Sequence, residues 1–122
     1  VKAHCARSNA LAKIDFEQIR HKVSDGDYEI SVHASKRLRQ RRLTLDDLEH
    51  VILTGEIIEQ SPTARPFPKC IFLGSTLLKG ESLHVVCSLT PNALIVTIYF
   101  PEEDKWSRDQ FRRKPKKKNR RL

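Results

Sequence analysis

A chain of 122 residues, 39% hydrophobic and 31% charged, has the size and composition of one folded domain that can close a core without staples. Its net charge of +8 is local: the run Arg112–Arg121 holds eight of the 23 basic residues and no acid, leaving the body balanced at 15 basic and 15 acidic residues. Three cysteines (Cys5, Cys70, Cys87) without paired spacing, and no apolar run near the roughly 20 residues of a membrane span, exclude a disulfide-stapled scaffold and a helical membrane protein.

Residues 1–13 carry little pattern, and the opening Val-Lys-Ala-His-Cys-Ala-Arg-Ser lacks the apolar core of a secretory signal, so the expected location is the cytoplasm. Asp15-Phe-Glu-Gln18 reads as a capping box. It opens a helix with Phe16, Ile19 and Val23 on its apolar face, which the turn Ser24-Asp-Gly-Asp27 stops. A short extended piece, Glu29–Val32, follows. Ser31 is a good N-cap for a helix through His33–Arg42, whose ten residues include five cations (Lys36, Arg37, Arg39, Arg41, Arg42) and no acid. His33, Arg37 and Arg41 recur at i, i+4 and i+8 and share one face, while Ala34 and Leu38 offer a narrow apolar stripe to a core. Thr44-Leu-Asp-Asp47 caps a third helix with Leu45, Leu48, Val51 and Ile52 on one side, and Gly55 is its stop.

The second half is strand-like: Glu56–Gln60, Cys70–Leu73, Leu83–Leu89 and Leu94–Phe100, separated by Pro- and Gly-bearing turns. Short connections favour consecutive antiparallel pairing. The expected fold is α+β, N-terminal helices packed on a four-stranded antiparallel sheet, in a single domain over 1–111 followed by a disordered basic tail over 112–122. Alternation puts His84, Val86 and Ser88 on one face of the third strand, and Ile95, Thr97 and Tyr99 on one face of the fourth. Where those faces meet, His84, Thr97 and Tyr99 gather. The structural alternative is an ordinary solvated face of an edge hairpin. Trp106 and Phe111 are expected to fold back onto the body.

No metal and no cofactor are expected. His84 and Cys87 lie three apart on a strand and point to opposite faces, and His4, Cys5 and Cys70 lack chelate spacing. The chain has no Walker loop, no GxGxxG and no GxSxG elbow. Cleavage of RNA without metal needs removal of the 2′-OH proton, protonation of the departing 5′-oxygen and stabilisation of a charged phosphorane. Histidine can move either proton, and arginine holds the phosphorane through charge-assisted hydrogen bonds of about 1.5–3 kcal/mol each. On this reading His33 is the base, Arg37 and Arg41 hold the phosphate, and His84 or Tyr99 is the acid. Lys36, Thr97 and the tail residues Arg112, Arg113, Lys114, Lys116, Lys117 and Lys118 add RNA contacts. The competing structural reading has His33 bonding across the helix start and Arg37 paired with a carboxylate.

Ile30-Ser-Val-His33-Ala34-Ser-Lys-Arg37-Leu38-Arg-Gln-Arg41, with Gly55-Glu-Ile-Ile-Glu59, Leu83-His-Val-Val86 and Thr97-Ile-Tyr99, resembles the bacterial domain of unknown function family 4258 over about residues 14–106. The resemblance implies a RelE-like fold of the barnase–EndoU–colicin–RelE group. It also implies the toxin half of a toxin–antitoxin pair, acting as a metal-independent endoribonuclease on mRNA, free or on the ribosome. It further implies an antitoxin partner such as a YgiT-type zinc-finger protein, and His33, Arg37, Arg41, His84, Thr97 and Tyr99 as the family's polar site positions. The alternatives are a noncatalytic RNA-binding module, bound through helix and tail, and a module that docks an antitoxin partner.

Overall fold

The structure, a computed structural model, describes residues 14–102, 105 and 106. Local chemistry sets where its helices start and stop. Helix α1 (Gln18–Ser24) follows a turn in which the Asp15 carboxylate accepts from the Glu17 N–H at 3.0 Å, and no side chain caps the helix itself, so the predicted box is reduced to a turn before the helix. Helix α2 (Val32–Arg41) begins as predicted: the Ser31 hydroxyl oxygen accepts from the Ala34 N–H at 2.9 Å. It ends on Arg42 in the left-handed region (φ 57°), whose N–H closes the last turn on the Leu38 and Arg39 carbonyls. Helix α3 (Leu45–Thr54) carries a complete capping box between Thr44 and Asp47. Burial resists ionisation of Asp47. Hydrogen bonds donated by the Leu77 and Thr44 N–H groups and the Thr44 hydroxyl outweigh that and hold its carboxyl below the usual range.

Gly55, after α3, has an ordinary extended backbone (φ −88°) and is needed for a different reason from the one its position suggests. A side-chain carbon there would sit 2.1 Å from the Leu73 carbonyl oxygen, so only glycine lets the chain pass so close to the sheet.

The sheet corrects the sequence-based expectation. Among the described residues it has five strands: β1 (Tyr28–Ile30), β2 (Glu56–Ser61), β3 (Lys69–Ser75), β4 (Ser82–Leu89) and β5 (Ala93–Tyr99). Their spatial order is β1-β5-β4-β3-β2, with β1 parallel to β5 and every other neighbour antiparallel. The added strand is the short extended piece before α2, three residues that pair Tyr28 with Ala93 and Ile30 with Ile95. A run so short has no periodicity to read, and its partner lies more than sixty residues on.

Register also corrects one face assignment. Val86 pairs with Thr97 but Cys87 pairs with Ile95, so Val96 is an extra residue in β5. The bulge moves Ile95 to the covered face with Ile98, and leaves Thr97 and Tyr99 on the other face opposite Val86 and His84. The Ser31 hydroxyl donates to the Val96 carbonyl at 2.7 Å, so the side chain that caps α2 also ties its start to the bulge.

The three helices cover one face of the sheet. Phe16, Ile19, Val23, Ala34, Leu38, Leu48, Val51 and Ile52 pack on Cys70, Phe72, Leu83, Val85, Cys87, Ile95 and Ile98. Arg20 spans two of these layers: it donates to the Ile52 carbonyl and its guanidinium lies 5.1 Å from the Phe72 ring centre. Cys70 and Cys87 face each other across β3 and β4 as buried free thiols, with burial pushing Cys70 up to about 12 and Cys87 also well above its ordinary value. They are core hydrophobes, as the sequence indicates. No helix among the described residues is long and apolar enough to cross a membrane.

Candidate functional site

The face turned away from the helices is built by alternation. β2 contributes Glu59 and Ser61, β3 contributes Lys69 and Ile71, β4 contributes Val86, and β5 contributes Thr97 and Tyr99. Their register draws two rows across the sheet: Glu59–Ile71–Val86–Thr97, and beside it Ser61–Lys69–Ser88. Helix α2 packs along β5 and sends Arg37 and Arg41 over that edge. After β5 the chain turns back with Phe100, Glu102, Lys105 and Trp106. Together these walls form an open cavity of about 600 Å³.

Charge is unevenly settled around it. Lys105 pairs with Glu102 at 3.6 Å, but neither Arg37, Arg41 nor Lys69 lies within 4 Å of a described carboxylate. Arg41 instead rests its guanidinium 5.8 Å from the centre of the Phe100 ring, which holds the group without neutralising it. Glu59 is the cavity's other acid. Three cations held over an apolar floor of Ile71, Val86 and Val96 suit a ligand with a phosphate and an apolar or aromatic body.

The predicted site residues divide between this cavity and the rest of the protein. Arg37, Arg41, Thr97 and Tyr99 all line it. His33 shares their helix but stands exposed in the first turn, outside the lining, and Lys36 is exposed on α2 and does not line it either. His84 lies on the predicted face yet has no exposed surface: Trp106 sits edge-on against it with ring centres 4.4 Å apart, and Tyr99 lies edge-on at 5.2 Å. Trp106, only 2% exposed, folds back onto the body as expected and seals the histidine. Arg112, Arg113, Lys114, Lys116, Lys117, Lys118 and Phe111 lie outside the described residues, as do His4 and Cys5. Among the described residues no three His, Cys, Asp or Glu side chains gather as a metal site.

Sequence reasoning missed Glu59, Ser61 and Lys69. Glu59 sits in a strand that reads as plain β-structure, and Ser61 and Lys69 fall just outside the expected strands Glu56–Gln60 and Cys70–Leu73, which the structure extends to Ser61 and Lys69. Alternation places Glu59 with Ser61 and Lys69 with Ile71 on one face only once the strands are extended to include Ser61 and Lys69.

Fold and site define a class: an α+β domain with helices on one sheet face and a cation-rimmed cavity on the other. The chain belongs to the family described as Domain of unknown function (DUF4258), whose model matches residues 30–100. That span runs from the end of β1 through the last strand and includes every lining residue except Glu102, Lys105 and Trp106. No curated protein and no solved structure matches the chain.

Proposed function

We propose that this protein is a RelE-like, metal-independent endoribonuclease acting on mRNA, and the toxin component of a bacterial toxin–antitoxin pair. The observation that carries the reading is the cavity on the helix-free face, where Arg37 and Arg41, set one turn apart on α2, reach over the edge without a described carboxylate beside them. Two guanidinium groups at that spacing bind the scissile phosphate and stabilise the phosphorane as its charge grows.

The proton transfers fall to side chains beside the clamp. His33, one helical turn before Arg37 on the same face of α2, accepts the 2′-OH proton, and the 2′-oxygen forms its bond to phosphorus. The P–O5′ bond breaks, and the leaving oxygen takes a proton from the Tyr99 hydroxyl on β5. The products are a 2′,3′-cyclic phosphate and a 5′-hydroxyl, and solvent returns the proton from His33 to Tyr99. His33 keeps the role assigned from sequence although it stands outside the lining, because Glu59 on β2 lies three strand spacings, about 14 Å, from β5.

The test is direct. Purified full-length protein is incubated with RNA in excess chelator, and the ends of the products are identified. Cyclic phosphate ends, lost in His33→Ala and kept in Glu59→Gln, support the scheme. Cutting that survives His33→Ala and disappears in Glu59→Gln moves the base to Glu59. The absence of histidine from the lining among the described residues also favours a second reading, a noncatalytic RNA-binding module; binding without any cut product would establish it. Growth arrest on induction, relieved by the adjacent open reading frame, tests the toxin assignment and the antitoxin partner, including one of the YgiT zinc-finger type.

A further inference from the structure

The arginine pair occupies one bank of the cavity only. On the other bank Lys69 is half-buried in β3 and paired in register with Ser61 of β2, and both side chains line the cavity. Lys69 is the remaining cation without a described carboxylate within 4 Å, since Lys105 is committed to Glu102. From β5, where α2 brings the arginines, to β3 is two strand spacings, about 10 Å. The arginines and Lys69 therefore stand on opposite banks of the cavity. Between the banks the floor is Ile71 and Val86, with the Thr97 hydroxyl at the arginine side, a surface that takes a sugar or base and not a charge. A volume of about 600 Å³ holds a ligand of one or two nucleotides, not a duplex.

We infer that Lys69 and Ser61 form a second phosphate subsite, so that the ligand is a single strand crossing the sheet from β5 toward β3 with two consecutive phosphates engaged. This rests on the proposed function and deepens it. The Lys69 ammonium supplies the charge and the Ser61 hydroxyl donates a hydrogen bond to a phosphate oxygen. The nucleotide between the two phosphates lies on the Ile71–Val86 floor. A cleaving enzyme built this way needs a nucleotide beyond the scissile bond.

The experiment compares two uncleavable probes, a 2′-deoxy dinucleotide with one phosphodiester and no terminal phosphate and a 2′-deoxy trinucleotide with two phosphodiesters, titrated by calorimetry against the full-length protein. Wild type binds the trinucleotide at least tenfold more tightly. Lys69→Ala loses that advantage, leaves the dinucleotide unchanged, and lowers the dependence of log affinity on log salt by about 0.7, the share of one phosphate contact on a single strand. Lys69→Gln, which keeps the length and packing of the side chain, gives the same result with an unchanged melting temperature. Arg37→Ala weakens both probes. Equal loss of both probes in Lys69→Ala, or loss of neither, overturns the second subsite and leaves the nuclease proposal standing. Failure of wild type to bind either probe overturns both.

Discussion

The two faces of this sheet are made from the same strands by alternation, yet they are built to different ends. On the helix side, β3 and β4 place Cys70, Phe72, Leu83, Val85 and Cys87, all nearly without exposure, against three amphipathic helices. On the other side the neighbouring residues Lys69, Ile71 and Val86 meet Glu59, Thr97 and two arginines from α2 around the cavity. The helix side holds most of the buried core, and the other side holds cations that have no carboxylate within 4 Å among the described residues. Helix α2 joins them: Ala34 and Leu38 are buried, while Arg37 rises over the edge of β5 into the cavity. Substitutions that respect this division should affect stability or activity but not both.

The largest effect is expected on the covered face. Phe72 is fully buried under the Arg20 guanidinium, and Phe72→Ala leaves a cavity in the centre of the core. A loss of about 3–5 kcal/mol is expected in denaturant melts, with activity lost only in proportion to unfolding. The complementary change is Arg37→Ala. It removes a phosphate ligand from a half-buried edge position, so cutting should fall by about 100-fold or more while the melting temperature stays within a few degrees. A large fall in stability for Arg37→Ala would mean that the guanidinium is a packing element, and the two faces would not be separate in function.

How far this division can be read without coordinates depends on the range of the signal. Ser31 and Thr44 announce their helices because a cap acts on the next three residues, and the i, i+4 spacing of Ala34 with Leu38 and of Arg37 with Arg41 needs only the helical repeat. The family resemblance rests on the same segments. The bulge at Val96 is invisible to strict alternation, which pairs Ile95 with Thr97 on one face where the register shift separates them. Lys69 and Glu59 are visible as residues but not as neighbours of Arg37, since that adjacency runs through three strand pairings and a helix packed on β5. Strand β1 fails for the same reason: three residues and a distant parallel partner. His84 shows a further limit. Its face was legible, but the seal formed by Trp106 was not, because it depends on the path of the chain beyond the sheet.

A smaller effect sharpens the comparison through pH. Asp47 is on the covered side, where its carboxylate caps α3 and accepts from the Leu77 N–H at 2.9 Å. Its folded-state pKa is depressed, so the stability it contributes is fully present above the unfolded value near ~3.9 and is lost as pH falls through the lower folded value. Asp47→Asn should cost about 1 kcal/mol at pH 7, and urea melts of variant and wild type should converge as the pH is lowered below that value. A gap that persists in acid would assign the loss to geometry and not to the carboxylate charge.

The smallest effect separates the cavity from the charge of the helix as a whole. Arg42 follows Arg41 directly but closes α2 in the left-handed conformation (φ 57°), is exposed, and does not line the cavity. A side chain in that conformation costs about 1 kcal/mol relative to glycine, and the greater freedom of glycine in the unfolded chain offsets part of the gain. Arg42→Gly should therefore raise stability by about 0.5 kcal/mol and the melting temperature by a degree or two. Because it also removes one positive charge next to the clamp, its effect on RNA is informative. If the cavity selects the ligand, affinity falls slightly, in line with one screened surface charge, and the cutting rate at saturating RNA is unchanged. If Arg42→Gly depresses cutting as strongly as Arg37→Ala, then the basic helix acts as a diffuse field, and Arg37 and Arg41 hold no special place over the sheet.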